Sequence, residues 1–299
     1  MKQRKTKIAL CSIMTLLGVA FSITSCIRED RSDCMTEFTF TVKAYGSSGA
    51  ELTSEEVGDV RLFVFNGSTL RLVECINTHI GEVVTISSLF NEDIHIVGWG
   101  NLEGGAEKCA EMIPGSHKNQ GKISLLPFTR GAYCACTPDD LFRGEISVFK
   151  SEQEGNKIIP IKREVGSMRI TVRSLKLPGS TLQDEDFRIL VKETGSLIDF
   201  YGTVKGDKIY YSPLGSFVTN AGREEYYIPP FNMLPEPEGV TVEVYRDGQL
   251  LASVSKDKLN NPITVNKDLL TNVVIDLSGS VSVTMSITEW GNEQMGKEF

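Results

Sequence analysis

Apolar residues in this chain recur at every second position in one segment after another, and a chain patterned in that way folds into sheets. The cleanest run sets Val281, Val283, Met285 and Ile287 against Ser282, Thr284, Ser286 and Thr288, one apolar face and one hydroxyl face. Successive side chains of a strand point to opposite faces, so such alternation makes a half-buried strand. Phe38, Phe40 and Val42 alternate with Thr39, Thr41 and Lys43. Val60, Leu62 and Val64 alternate with Arg61 and Phe63, and Met168, Ile170 and Val172 with Arg169, Thr171 and Arg173. Val240, Val242 and Val244 alternate with Thr241, Glu243 and Tyr245. Shorter apolar runs lie at 69–76, 82–86, 94–99, 122–126, 145–149, 187–192, 198–204, 224–228, 250–255 and 272–277. Long helical periodicity is missing. Only 102–113 and Pro138–Leu141 leave room for a short helix, and Gly104-Gly105 weakens the first.

Turn chemistry separates the strands. Asp247-Gly248 between two strand-like runs is a hairpin signal. Asn66-Gly67-Ser68 has the form of a glycosylation triplet, but between the runs at 60–65 and 69–76 it reads as a turn. Pro229-Pro230 is expected to end the strand at Tyr226–Ile228, and Pro235, Pro237 and Gly239 mark a loop before residue 240. Many short strands with such turns make β-sandwiches. The polar segment Ser151–Lys157 is the linker this reading selects, with a boundary near residue 155. That gives an N-terminal sandwich over 36–154 and a C-terminal one over 155–299.

The first residues are an address. Lys2, Arg4, Lys5 and Lys7 precede a mostly apolar stretch of 16 residues, Ile8 to Ile23. A bilayer span needs about 20 residues, so this basic-then-apolar segment reads as a secretory signal. Ile23-Thr24-Ser25-Cys26 resembles a bacterial lipobox: a branched apolar residue, two small ones, then a thiol. Cys26 Sγ would take a diacylglyceryl group, and cleavage before it would free an amine for a further acyl chain. Each buried CH₂ contributes about 0.8 kcal/mol, and more than one chain is needed to hold firmly. Residues 1–25 are thus the signal and 26–35 a lipidated tether. Loss of the signal removes four cations and no anion, taking the net charge from −8 to −12 over 274 mature residues, a length that suits two sandwiches. So acidic a chain is no nucleic-acid binder, because phosphate recognition needs a basic footprint.

The search for catalytic chemistry is thin. Gly115 and Gly121-Lys122 miss the phosphate-loop spacing by one residue, with Ile123 where a hydroxyl is required. Gly98-x-Gly100 lacks its third glycine, and no Gly-x-Ser-x-Gly elbow occurs. The three histidines, His79, His95 and His117, share no zinc-helix spacing. Asp139-Asp140 and Asp184-Glu185-Asp186 could bind calcium in a loop, but neither completes a calcium-loop pattern and both read as solvated turns. A glycosidase pair of carboxylates is defined in space rather than in sequence. After the signal and Cys26 are set aside, Cys34, Cys75, Cys109, Cys134 and Cys136 remain. Cys134-Ala-Cys136 is one residue too tight for a zinc knuckle. In an exterior compartment a bridge from Cys109 to Cys134 or Cys136 is the expected pairing. No enzyme, cofactor or metal follows from these residues.

Cys26-Ile-Arg-Glu-Asp-Arg-Ser-Asp-Cys34, a lipobox cysteine followed by an acidic stretch and a second cysteine, leads into the strand Phe38–Val42. Together with Asp59–Phe65, Ile94–Asn101 ending in Trp99-Gly100, and Ile287–Trp290, it resembles the fimbrillin-associated anchor lipoproteins of Bacteroides-type bacteria, at the base of type V pili. No proline follows Cys34, and 102–160 adds nothing to the likeness. The resemblance implies an all-β fold of two tandem transthyretin-like Greek-key sandwiches after a lipoprotein signal peptide. It implies a non-catalytic outer-membrane, surface-exposed protein that holds a fimbrial shaft subunit and limits growth of the shaft. Glu29 and Asp30 resemble the acidic signal that sends such lipoproteins to the surface. Shaft subunits of such pili lose an N-terminal strand and receive a neighbour's in its place, whereas an anchor is expected to keep Thr36–Tyr45 in its own sheet. The candidate subunit contact is then another edge or the C-terminal segment Trp290–Phe299. The rival reading is a surface glycan-binding lipoprotein of a polysaccharide-utilisation system. It needs an exposed aromatic platform, which Trp99, Trp290, Tyr210-Tyr211 or Tyr226-Tyr227 would have to supply.

Overall fold

The computed structural model describes residues 36–88, 92–128, 133–152, 155–175 and 183–290. The signal, Cys26, Cys34 and the tail through Phe299 lie outside the described residues. The all-β architecture expected from the alternation is what the chain adopts, with no α-helix among the described residues.

The N-terminal half is built on one seven-stranded sheet. Its order is β3 (Leu72–Thr78), β2 (Val60–Asn66), β5 (Ile94–Gly100), β8 (Phe142–Val148), β9 (Asn156–Arg163), β1 (Thr36–Tyr45) and β4 (Val83–Ser88). The sheet rolls so that Phe38, Phe40 and Val42 of β1 share a buried cluster with Leu62, Ile96, Ile86 and Ile161 from four other strands. Burying each such side chain contributes about 1.5–3 kcal/mol. Gly144 of β8 is required by close approach: a Cβ there would lie 1.9 Å from the carbonyl oxygen of Pro160 in β9.

The C-terminal half is a two-layer sandwich. One layer runs β15 (Ser216–Asn220), β16 (Arg223–Met233), β10 (Gly166–Arg173), β19 (Leu269–Asp276), β20 (Ser282–Glu289). The other runs β14 (Ile209–Tyr211), β11 (Phe187–Thr194), β17 (Thr241–Arg246), β18 (Gln249–Val254). Ile170, Val172 and Val273 from the first layer meet Ile189, Val191 and Val242 from the second in one core. The Asp247-Gly248 hairpin joins β17 to β18 with positive φ at both residues, 48° and 78°, the geometry of a type I′ turn. At the other predicted turn, Asn66 Oδ1 accepts from the backbone N–H groups of Ser68 and Thr69, closing β2 onto β3.

Three expectations need correction. The linker expected around residue 155 leads straight into β9, which pairs parallel with β1 over Thr39–Tyr45 and belongs to the first sheet. The change of sheet falls after Arg163, because β10 pairs only with strands of the second half. Lys157–Lys162 hid this strand behind Pro160, although Ile159 and Ile161 are fully buried at period two. Pro229-Pro230 does not end its strand: β16 continues to Met233. The prolines sit at a bulge opposite Met168–Ile170, and past Tyr227 the neighbour β15 no longer pairs, so their missing donors cost little. Residues 102–113 form no helix, but contain the short strand β6 (Glu107–Cys109).

β6 opens a fourth sheet, of four strands, that crosses the two halves. Its order is β13 (Val204–Lys205), β12 (Leu197–Asp199), β7 (Lys122–Leu125), β6. Two strands come from before β8 and two from the C-terminal half, so the halves share backbone hydrogen bonds.

Candidate functional site

β1 reads TEFTFTVKAY, and its apolar positions Phe38, Phe40, Val42 and Ala44 are all fully buried. It is an inner strand, pairing antiparallel with β4 from Thr36 to Thr41 and parallel with β9 from Thr39 to Tyr45. The side chains on its outer face add to this: Asn156 Nδ2 donates to Thr41 Oγ1 at 2.8 Å, and Thr39 Oγ1 donates to Gly155 O at 3.3 Å. Gly81 N–H donates to Val42 O at 2.9 Å.

The joint between the halves is aromatic at its centre. The outer faces of β2 and β5 are covered as well as the inner ones, so β5 is buried at all seven positions. Phe63, Phe65, Val97 and Trp99 meet Ile123, Ile198, Phe200 and Leu234. The Phe200 ring stands edge-on to Phe63 at 4.6 Å between centroids and lies 6.0 Å from Trp99. A Cβ on Gly121 would meet the Phe200 ring at 2.4 Å, and Phe200 N–H donates to Gly121 O.

A polar ring secures the turn that carries Phe200. Arg143 donates from Nε and Nη2 to Phe200 O at 3.0 and 2.8 Å. Lys267 donates to Gly202 O at 3.0 Å and pairs with the buried Glu164. Asp199 Oδ1 accepts from Tyr201 N–H and Thr203 N–H, and Oδ2 pairs with Lys205. Burial opposes ionisation of Asp199, but these hydrogen bonds outweigh it and hold the carboxyl below its ordinary range. Lys118, 2% exposed, contacts Glu145 Oε2 at 2.8 Å and His95 Nε2 at 2.9 Å, with its ammonium 4.3 Å from the Tyr201 ring centroid.

This network contains a serine beside an imidazole, since Ser147 Oγ lies 2.8 Å from His95 Nδ1. The geometry forbids a general base. Lys118 has only donors, so Nε2 must accept from it and the ring proton sits on Nδ1, directed at Ser147. Burial and the neighbouring Lys118 charge hold His95 below the usual histidine value, so the ring is neutral. Glu107 and Asp139 are the closely placed carboxylates that sequence alone could not pair, with Asp139 N–H donating to Glu107 Oε2 at 3.3 Å. Glu107 is buried and Asp139 half-buried with its Oδ2 shut in, so the pair does not line an open cleft. A cavity of about 520 Å³ opens elsewhere, between the β12–β13 turn and the Pro235–Pro237 loop. Its lysines Lys205, Lys208 and Lys267 are each engaged by a carboxylate.

The remaining expected residues fall as follows. Cys109 and Cys136 are unbridged thiols, so the expected bridge from Cys109 does not form. Cys109 packs at the joint from β6, whereas the Cys134–Cys136 segment pairs with Tyr210 and Pro127. Burial pushes the Cys109 thiol up to about 11. The Trp290 ring rests on Arg163 of β9, its centroid 4.4 Å from the guanidinium carbon, which also lies 4.8 Å from the Phe142 ring centroid. Trp99 and Tyr211 are fully buried and Tyr226 is 4% exposed, so these rings form no surface strip for a glycan.

Comparison with known proteins places this geometry. The family of fimbrillin-A associated anchor proteins Mfa1 and Mfa2 matches residues 31–296. The major fimbrium anchoring subunit FimB of Porphyromonas gingivalis (strain ATCC BAA-308 / W83) is 25% identical over 309 residues, covering 97% of this chain and 98% of that protein. FimB of the strain ATCC 33277 gives the same identity and coverage. Among solved structures, the fimbrial anchor protein Mfa2 from Porphyromonas gingivalis shares the fold with a TM-score of 0.61 at 15% identity, over 86% of this chain and 98% of that one. The chain thus belongs to the fimbrillin-A associated anchor proteins, a family of the cell envelope that works in association with fimbrial subunits.

Proposed function

We propose that this protein is a non-catalytic lipoprotein of the outer membrane, held by lipid on Cys26, that anchors a fimbrial shaft at the cell surface and ends its growth. The observation that carries the reading is the place of β1. The strand that would have to leave for a neighbour's strand to enter is flanked on both edges and buries Phe38, Phe40 and Val42 completely. A subunit whose groove is already filled offers no vacancy for strand addition. Chain growth stops at it, while the short tether from residue 26 to Thr36 keeps it at the membrane. The contact with the lowest shaft subunit is then made by a sheet edge or by the C-terminal segment beyond Trp290, which leaves from the joint beside Arg163.

Deletion in the native host followed by electron microscopy tests the role. Fimbriae shed into the medium or overlong support it, and unchanged fimbriae refute it. Cys26→Ala tests the attachment separately, by moving the protein out of the membrane fraction. Removal of 291–299 tests the tail, since attached fimbriae of normal length would assign the contact to an edge instead.

A further inference from the structure

Asp139 reads as part of a solvated turn in sequence, but its carboxylate is turned inward. A Cβ on Gly104 would lie 1.8 Å from Asp139 Oδ2, so the carboxylate is seated against the backbone of the 102–106 loop. Across from it, Glu107 of β6 is 6% exposed. Glu107 Oε1 and Asp139 Oδ2 are both buried and have no hydrogen-bond partner among the described residues. Asp59 adds a third negative charge nearby, its Oδ2 accepting from Leu102 N–H at 3.3 Å. The cations of the neighbourhood are committed elsewhere: Arg61 to Glu103 and Asn77, Arg163 to Asp140 and Asp268.

Two adjacent carboxylate oxygens shut away from water and without donors are a costly arrangement unless a bound cation or a shared proton lies between them. The geometry points to a binding site for one hard divalent cation of the calcium class, bridged by Glu107 Oε1 and Asp139 Oδ2. Calcium accepts an irregular shell of carboxylate, peptide and water oxygens, and two carboxylates put its affinity in the weak range of extracellular modules, about 10⁻⁴–10⁻³ M. The ligands come from β6 and from the segment before β8, so the ion would tie the small bridging sheet to the seven-stranded one. This inference is independent of the anchoring role.

The test is a thermal melt of the purified full chain at pH 8 in chelator, then with calcium at about ten times the dissociation constant. Linkage at that excess predicts a rise in midpoint of about 3–5 °C. Glu107→Gln, close in shape, should abolish the rise, and Asp139→Asn provides the same check from the other side. Terbium luminescence on the unmutated chain reads occupancy directly and does not depend on how the variants fold. No rise with calcium and no terbium signal overturns the site. So does a midpoint that climbs only as pH is lowered in chelator, which would mean that the two carboxylates share a proton instead. An equal rise in both variants also overturns it, by placing the ion elsewhere.

Discussion

Phe200→Ala is the substitution that most sharply tests how the two halves are coupled. Phe200 sits on a turn of the C-terminal half, yet its ring is fully buried against Phe63 and Trp99 of the N-terminal sheet. Truncation removes most of a large side chain from a site framed by Gly121 and two aromatic rings, where collapse of the surroundings is restricted. Phe→Ala at such positions costs about 3–5 kcal/mol, the edge-on contact with Phe63 included. For a chain of this size each kcal/mol lowers the midpoint by about 2–4 °C, so a fall of about 6–20 °C is expected. Scanning calorimetry provides the discriminating detail. Because β7 of the N-terminal half pairs with β12 of the C-terminal half, both halves should still melt in one transition, moved as a whole. Phe200→Leu, which keeps most of the volume, should cost less than half as much. A fall under about 2 °C, or an endotherm that splits with one part unmoved, would refute the coupling.

Other expectations follow from the polar ring and the turns. His95 is held neutral, so its unfolded form binds more protons as pH drops through about 6.5, and stability should fall there. Urea titrations at several pH values should show that fall, and its loss in His95→Gln isolates the contribution of this ring. Lys118→Met removes one of the charges that depress His95 while leaving Glu145 in place, so the imidazole should titrate higher, as read by proton NMR. An unchanged or lower value would mean that burial alone sets it. Gly248→Ala forces a side chain into φ of 78° and should cost about 1 kcal/mol in a denaturant melt, with no change in the m-value.

Much of this fold is legible in the alternation because half-buried strands must alternate. β2, β10, β17 and β20 lie where Val60–Val64, Met168–Val172, Val240–Val244 and Val281–Ile287 place them. Where both faces of a strand are covered the period-two signal is lost, as in Ile94–Gly100, and only apolar continuity remains. β9 escaped because a proline and flanking lysines look like a linker until the partner strand is known; its pairing with β1 bridges more than a hundred residues of sequence. Cys109 and Asp139 were misread for a related reason. Which thiols come together, and which carboxylate turns inward, depends on the loop at Gly104 and on the packing of β6, and neither has a local pattern.

The flanking of β1 has a mechanical consequence. Ladder hydrogen bonds run across a strand, so tension applied at Thr36 along the strand axis loads them in shear rather than peeling them one by one. All six pairings with β4 and all seven with β9 resist together, and the buried Phe38 and Phe40 must slide past Ile86 and Ile161 before any is released. Such a grip fails by its unfolding rate under force, not by its equilibrium stability. If the proposed lipid tether pulls on Thr36, a pull at the membrane would therefore meet the stiffest direction of the sheet.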